Sequence, residues 1–201
     1  MAKNITATAN GATVSGSSLK YVVSNLGSNI KSVTYNGTEY WKAYPEYLYN
    51  AGDEVTDFTG GWVSMSKVMA NYDGWDGRVN GNNSKGSNYL ELQTGTTGGS
   101  GQYNGSGYAT RKTVDFSEIN KLTFNLSLNE GGDVPYQWWK ITLCSSVGGT
   151  INKIYTFECR YTGSTFSVDT SGYNGSYVLA VNLFTSDGYW SRKRISSIKV
   201  N

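Results

Sequence analysis

Histidine is absent from this chain of 201 residues, and proline and cysteine occur twice each. Without imidazole there is no Ser-His-Asp or Cys-His nucleophile, and no His-ligated zinc or iron. Two cysteines cannot furnish a Cys-rich zinc or iron–sulfur site. Catalysis, if any, would have to rest on carboxylates, tyrosine, lysine or a hydroxyl. So little proline rules out a collagen-like chain. Charge is scarce as well: 16% of residues are charged, against about 25% in an ordinary soluble domain. The net charge is only +2, and the densest basic cluster is Arg192-Lys193-Arg194. That is too little for a nucleic-acid stripe and reads as a solvated turn. The apolar runs fall far short of about 18 residues, so no membrane insertion is expected.

Small polar residues take the place of charge. Gly, Ser, Thr and Asn make up 88 of the 201 residues, and 16 are tyrosine. The aromatic content, 14%, excludes a disordered chain. Hydrophobicity alternates with period 2 almost everywhere, the mark of half-buried strands. Strands are expected at 4–9, 12–15, 19–24, 30–35, 38–43, 61–68, 88–94, 108–115, 121–128, 138–146, 152–161, 165–169, 177–185 and 194–200. Only 115–120 suggests a short helical turn. The fold class is all-β.

Two parts are legible. Residues 1–44 hold short alternating strands with tight turns at Asn10-Gly11 and Asn36-Gly37, a pair that accepts the positive φ of a type I′ hairpin. A β-hairpin module this small buries too little to be secure alone. Residues 45–201 carry longer strands and read as a jelly-roll β-sandwich. In Leu122-Thr-Phe124-Asn-Leu126-Ser-Leu128 the even positions are apolar, giving one buried and one wet face. Tyr177–Phe184 is almost continuously apolar and therefore central. Tyr-Asn-Gly recurs at 35–37, 103–105 and 173–175 and reads as three similar turns. Long loops are expected at 71–88 and 95–107.

Cys144 and Cys159 flank a hairpin turn at Gly148-Gly149. Centring the turn there sets Cys144 opposite about residue 153 and Cys159 opposite about residue 138. The pair is too far apart to bridge, so two free thiols are expected, with Cys159 in the core and Cys144 on the face away from Trp139, Ile141 and Leu143. No apolar segment resembling a secretory signal follows Met1. Free thiols and no signal fit assembly in a reducing cytoplasm with release by lysis, and a secreted protein stripped of its signal would look the same.

Candidate site residues are exposed aromatics beside hydrogen-bonding groups, the chemistry that stacks on sugar rings. The first group is Tyr72 and Trp75 with Asp73, Asp76 and Arg78, on a loop where Trp75 sits between two Asp-Gly turns. A second is Tyr136, Gln137 and Trp138, and a third is Tyr189 and Trp190 beside Arg192. The competing uses of such aromatics are to cover the ends of the sandwich or to contact another subunit. Acid pairs such as Asp73/Asp76 and Glu130/Asp133 are too local to make a glycosidase and read better as turn formers. Gly98-Gly99-Ser100-Gly101 lacks the Gly-Lys-Ser/Thr and the helix of a phosphate loop.

Tyr35-Asn36-Gly37-Thr38-Glu39-Tyr40-Trp41-Lys42, followed by the stretch from Leu48 to Trp62, resembles tail-fibre and other virion proteins of tailed bacteriophages. Those proteins join a small β-hairpin module to a jelly roll of carbohydrate-binding-module type. The 48–62 stretch resembles the first strand of such a jelly roll. Val114-Asp115-Phe116 through Phe124 is similar to the strand entry of galactose-binding-like sandwiches, and Ile195–Val200 to their closing strand. The resemblance implies a non-enzymatic virion protein, as capsid decoration, tail fibre or baseplate element. Residues 1–44 would anchor it among other virion proteins in multiple copies, and the sandwich would project, with a host cell-surface glycan as possible ligand. Asp53, Glu54 and Asp57 cluster where similar modules hold a structural calcium; otherwise no cofactor is required. The rival readings are a bacterial polysaccharide-binding module and a polysaccharide-cleaving enzyme.

Overall fold

The computed structural model describes residues 5–9, 12–16, 32–35, 38–42, 44–65, 81–95, 103–131, 136–186 and 189–201. The chain divides into two compact units, Met1–Tyr44 and Pro45–Asn201. In the first, β1 (Ile5–Ala9), β2 (Ala12–Gly16), β3 (Ser32–Tyr35) and β4 (Thr38–Lys42) form one antiparallel sheet in the order β2-β1-β3-β4. Ala9 pairs with Ala12 and Tyr35 with Thr38, as two-residue hairpin loops require. The expected turn residues Asn10, Gly11, Asn36 and Gly37, and the expected strand at 19–24, lie outside the described residues.

The second unit is a two-sheet antiparallel sandwich. Its strands are β5 (Tyr47–Asn50), β6 (Trp62–Ser64), β7 (Gly81–Lys85), β8 (Leu90–Thr94), β9 (Tyr103–Thr110), β10 (Val114–Asp115), β11 (Lys121–Glu130), β12 (Gln137–Cys144), β13 (Ile151–Glu158), β14 (Thr165–Asp169), β15 (Ser176–Ser186) and β16 (Arg192–Val200). One sheet runs β13-β12-β15-β9-β6, with β10 also on β15; the other runs β14-β11-β16-β8-β7, with β5 also on β16. From β8 to β16 each main strand crosses to the opposite sheet, except at the β12–β13 hairpin. The resulting orders β9-β15-β12-β13 and β8-β16-β11-β14 are those of a jelly roll.

Period-2 alternation explains the core. Leu122, Phe124 and Leu126 point inward from β11, and Trp139, Ile141 and Leu143 meet them from β12. Phe166 of β14 joins the layers, stacking on Phe124 with centroids 4.8 Å apart and packing on Trp139 and Phe157 at 5.3 and 5.8 Å. Register shifts between β11 and β16 flank Leu126, and beyond them Leu128 is only half-buried. β15 is central as its apolar run requires, buried on both faces from Val178 to Thr185. The second face carries Met65, Ala109, Cys144, Val178 and Ala180 as an apolar cluster of its own.

Several expectations are corrected. The segment 115–120 makes turns, with Ile119 N–H donating to the Phe116 carbonyl, and no helix. The helical pieces are instead α1 (Thr56–Thr59) and a 3₁₀ turn at Cys159–Tyr161, both too short for periodicity to reveal. Part of the expected 95–107 loop is strand β9, where Gly107 lets Met65 and the Val181 carbonyl come within 2.5 and 2.9 Å of the position a Cβ would take. Tyr103-Asn104-Gly105 therefore lies in a strand and not in a turn. Arg192-Lys193-Arg194 is no solvated turn either. It opens β16, with Lys193 wholly buried and both arginines on Glu91. Both cysteines are free and buried. Cys144 pairs in register with Ile151, and Trp138 with Glu158, so the thiols sit at opposite ends of the hairpin. Among the described residues no helix is long and apolar enough to cross a membrane.

Candidate functional site

Three of the large apolar side chains left exposed among the described residues belong to one end of the sandwich. Tyr136 (50% exposed) immediately precedes β12, Trp190 (45%) precedes β16, and Tyr161 (75%) closes the turn that follows β13. The fourth, Val147, lies in the β12–β13 hairpin loop at the other end. The Tyr136 ring sits edge-on to Trp138 at 6.4 Å and tilted against Tyr189 at 5.5 Å. The second and third aromatic groups of the sequence therefore form one patch.

The backbone fixes this patch. Tyr136 adopts φ +69°, a left-handed conformation costly for a bulky residue. It is held there because its carbonyl accepts a hydrogen bond from Ser186 N–H at 2.9 Å. Tyr189 N–H donates back to the Ser186 carbonyl. Gln137 points inward, and its Nε2 donates to the Trp190 carbonyl at 3.2 Å. Ser191 N–H donates to Thr94 Oγ1 at 2.9 Å, so the segment carrying Trp190 is pinned on both sides. Two chain segments far apart in sequence thus bring their rings together beside the starts of β12 and β16.

Among the described residues, the charges of Arg192, Arg194, Glu91 and Glu130 are engaged with one another. Arg192 Nε donates to Glu91 Oε2 at 2.9 Å and Arg194 Nε to the same oxygen at 2.6 Å. Arg192 also lies 3.9 Å from Glu130. Burial would raise the Glu91 carboxyl, but the two guanidinium donors outweigh it and hold the pKa below its usual range. The Arg194 guanidinium stacks on Tyr89 at 4.2 Å.

Of the sequence candidates, Tyr189 and Trp190 are in this patch. Tyr72, Trp75, Asp76 and Arg78, with Asp73, lie outside the described residues. Asp53, Glu54 and Asp57 do not converge on a cation site. Glu54 Oε1 takes the Lys85 ammonium at 2.7 Å and Oε2 accepts Trp62 N–H at 2.5 Å. Asp53 Oδ1 accepts Val55 N–H at 2.9 Å within its own turn, and Asp57 sits in the first turn of α1. Lys85 Nζ also donates to the Trp62 carbonyl. The ammonium thus occupies oxygens of the kind a calcium ion would use. Among the described residues no group of three or more acids and thiols is arranged to hold a metal. Tyr161 carries no site signal in the sequence, because Cys159-Arg160-Tyr161 ends an expected strand and shows no turn residues.

No protein-family model matches the sequence, and no curated protein is similar to it. Among solved structures, the chain is similar to the X-ray crystal structure of a non-crystalline cellulose specific carbohydrate-binding module, CBM28. That likeness has a TM-score of 0.37 and 11% identity, and covers 79% of this chain and 93% of that one. The class of the second unit is set by strand order: it is a jelly-roll β-sandwich.

Proposed function

We propose that the second unit is a non-catalytic carbohydrate-binding module whose ligand stacks on the aromatic end formed by Tyr136, Trp138, Tyr189 and Trp190. The observation that carries this reading is the convergence of the Tyr136, Trp138 and Tyr189 rings from two separate chain segments, with Trp190 next to Tyr189 in the chain and Tyr136 and Trp190 about half exposed. Leaving such rings in water forgoes their burial, whereas the C–H faces of a sugar ring cover them well. The rim charges Arg192, Glu91 and Glu130 pair among themselves. Among the described residues the patch therefore offers ring faces and neutral polar groups, which suits a neutral glycan better than an acidic one. The virion setting implied by the sequence resemblance is a separate question, and the binding reading does not depend on it.

A glycan array tests the proposal. The wild-type chain gives a hit that Trp190→Ala and Tyr136→Ala each weaken at least about tenfold, as loss of a central aromatic contact does. Val147→Ala, at the far end of the hairpin, leaves the hit unchanged. Retention of full binding by both aromatic variants refutes the site. Silence across the array, with self-association lost in the same variants, favours a subunit contact instead.

A further inference from the structure

Beneath the aromatic patch the interior of the sandwich is polar. In register across three neighbouring strands, Asn104 of β9, Thr185 of β15 and Gln137 of β12 form one row on the inner face of their sheet. Ser106 and Trp139 stand in the next row inward. All are at most 1% exposed. Yet Asn104 Nδ2 and Oδ1, Thr185 Oγ1, Gln137 Oε1, Ser106 Oγ and Trp139 Nε1 have no hydrogen-bond partner among the described residues. The facing sheet adds Thr94, Ser191 and Lys193, all buried; Lys193 Nζ donates to Asn129 Oδ1 and to the Glu130 carbonyl.

Each buried polar atom left without a partner is destabilising, and this many together would consume much of the stability of an ordinary domain. The row must therefore meet a guest, and its chemistry selects the guest. Gln137 Oε1 and Asn104 Oδ1 only accept, while Asn104 Nδ2 and Trp139 Nε1 only donate. An anion would leave the acceptors unmet, and a metal ion would leave the donors unmet. A neutral molecule that both donates and accepts satisfies both sets, and atoms this closed to solvent admit only the smallest one.

We propose that this row encloses ordered water bridging Asn104, Thr185 and Gln137, a built hydration site for which side chains of two adjacent rows supply the partners. Gln137 links the enclosed water to the Trp190 carbonyl through its Nε2, so the site is a hydrated floor under the aromatic end. The inference does not rest on what binds at that end.

Magnetic relaxation dispersion of water nuclei on the full chain counts long-lived internal waters and gives the test. Thr185→Val keeps the side-chain volume and removes one partner. The expected result is a loss of dispersion amplitude relative to wild type, with a lower Tm because a water loses a bond. Unchanged amplitude with a raised Tm means the row is dry, the hydroxyl was a net cost, and the proposal fails. If the variant does not fold, a high-resolution crystal structure of the wild type decides. Water density within hydrogen-bond distance of Thr185 Oγ1 and Asn104 supports the site, and an empty row overturns it.

Discussion

Lys85→Met removes the ammonium that ties Glu54 to the Trp62 carbonyl and joins β7 of one sheet to β6 of the other. Lys85 makes two hydrogen bonds there, one to the Glu54 carboxylate and one to the backbone. Hydrogen bonds involving a charged group contribute about 1.5–3 kcal/mol each when buried. The Lys85 side chain is 35% exposed and that of Glu54 26%, so screening reduces the sum to roughly 2 kcal/mol. For a domain of this size that corresponds to a fall in Tm of about 4–8 °C. The same pair sets an acid limb. Burial acts to raise the Glu54 pKa, but the Lys85 hydrogen bond and the Trp62 N–H outweigh it, so the folded value lies below 4.5. A depressed carboxylate contributes stability that is complete above pH 4.5 and is lost as pH falls through the folded value. Thermal melts of wild type and variant between pH 3 and 7, followed by near-ultraviolet circular dichroism, should therefore differ most at neutral pH and converge in acid. Coincident melts at pH 7 would refute the reasoning. So would added calcium raising the wild-type Tm, since the ion would then be taking the place assigned to Lys85.

Phe166→Ala opens the centre of the inter-sheet core, where Phe166 touches Phe124, Trp139 and Phe157. Because β14 is an edge strand that can partly collapse, the loss sits at the low end of the phenylalanine range, about 3 kcal/mol, and urea unfolding should show a lower midpoint with unchanged slope. Cys159 is 1% exposed, and burial pushes its thiol up to about 12; burial raises the Cys144 thiol as well. Native protein at pH 8 should thus resist alkylation by iodoacetamide until denaturant is added, and rapid labelling of either thiol in the native state would contradict the core placement.

The fold was readable where one face of a strand is buried and the other wet. The even positions of β11 and the doubly apolar β15 state their places in the sheet directly, as burial on one face or two dictates. It was unreadable where burial is polar. Asn104 and Ser106 sit among glycines and look like loop, yet they lie in a strand because neighbouring strands supply the backbone partners. Lys193 lies between two arginines and looks solvated, yet alternation turns it inward while its neighbours face Glu91 outside. The aromatic site was half legible. Residue type alone marks Tyr136, Trp138, Tyr189 and Trp190, but nothing local says that Ser186 and Gln137 bring two distant segments to one end. Glu54 reads as a metal ligand in the sequence because its partner Lys85 is 31 positions away and invisible to local pattern.

Carbohydrate binding at the aromatic end is tested most directly by NMR titration of the full chain with soluble glycans that score on the array, following the tryptophan indole N–H signals. Trp138 and Trp190 should shift in a saturable way, while Trp62 and Trp139, both fully buried, should stay in place. Shifts confined to Trp75, or an indole spectrum unmoved by every glycan, would contradict the site.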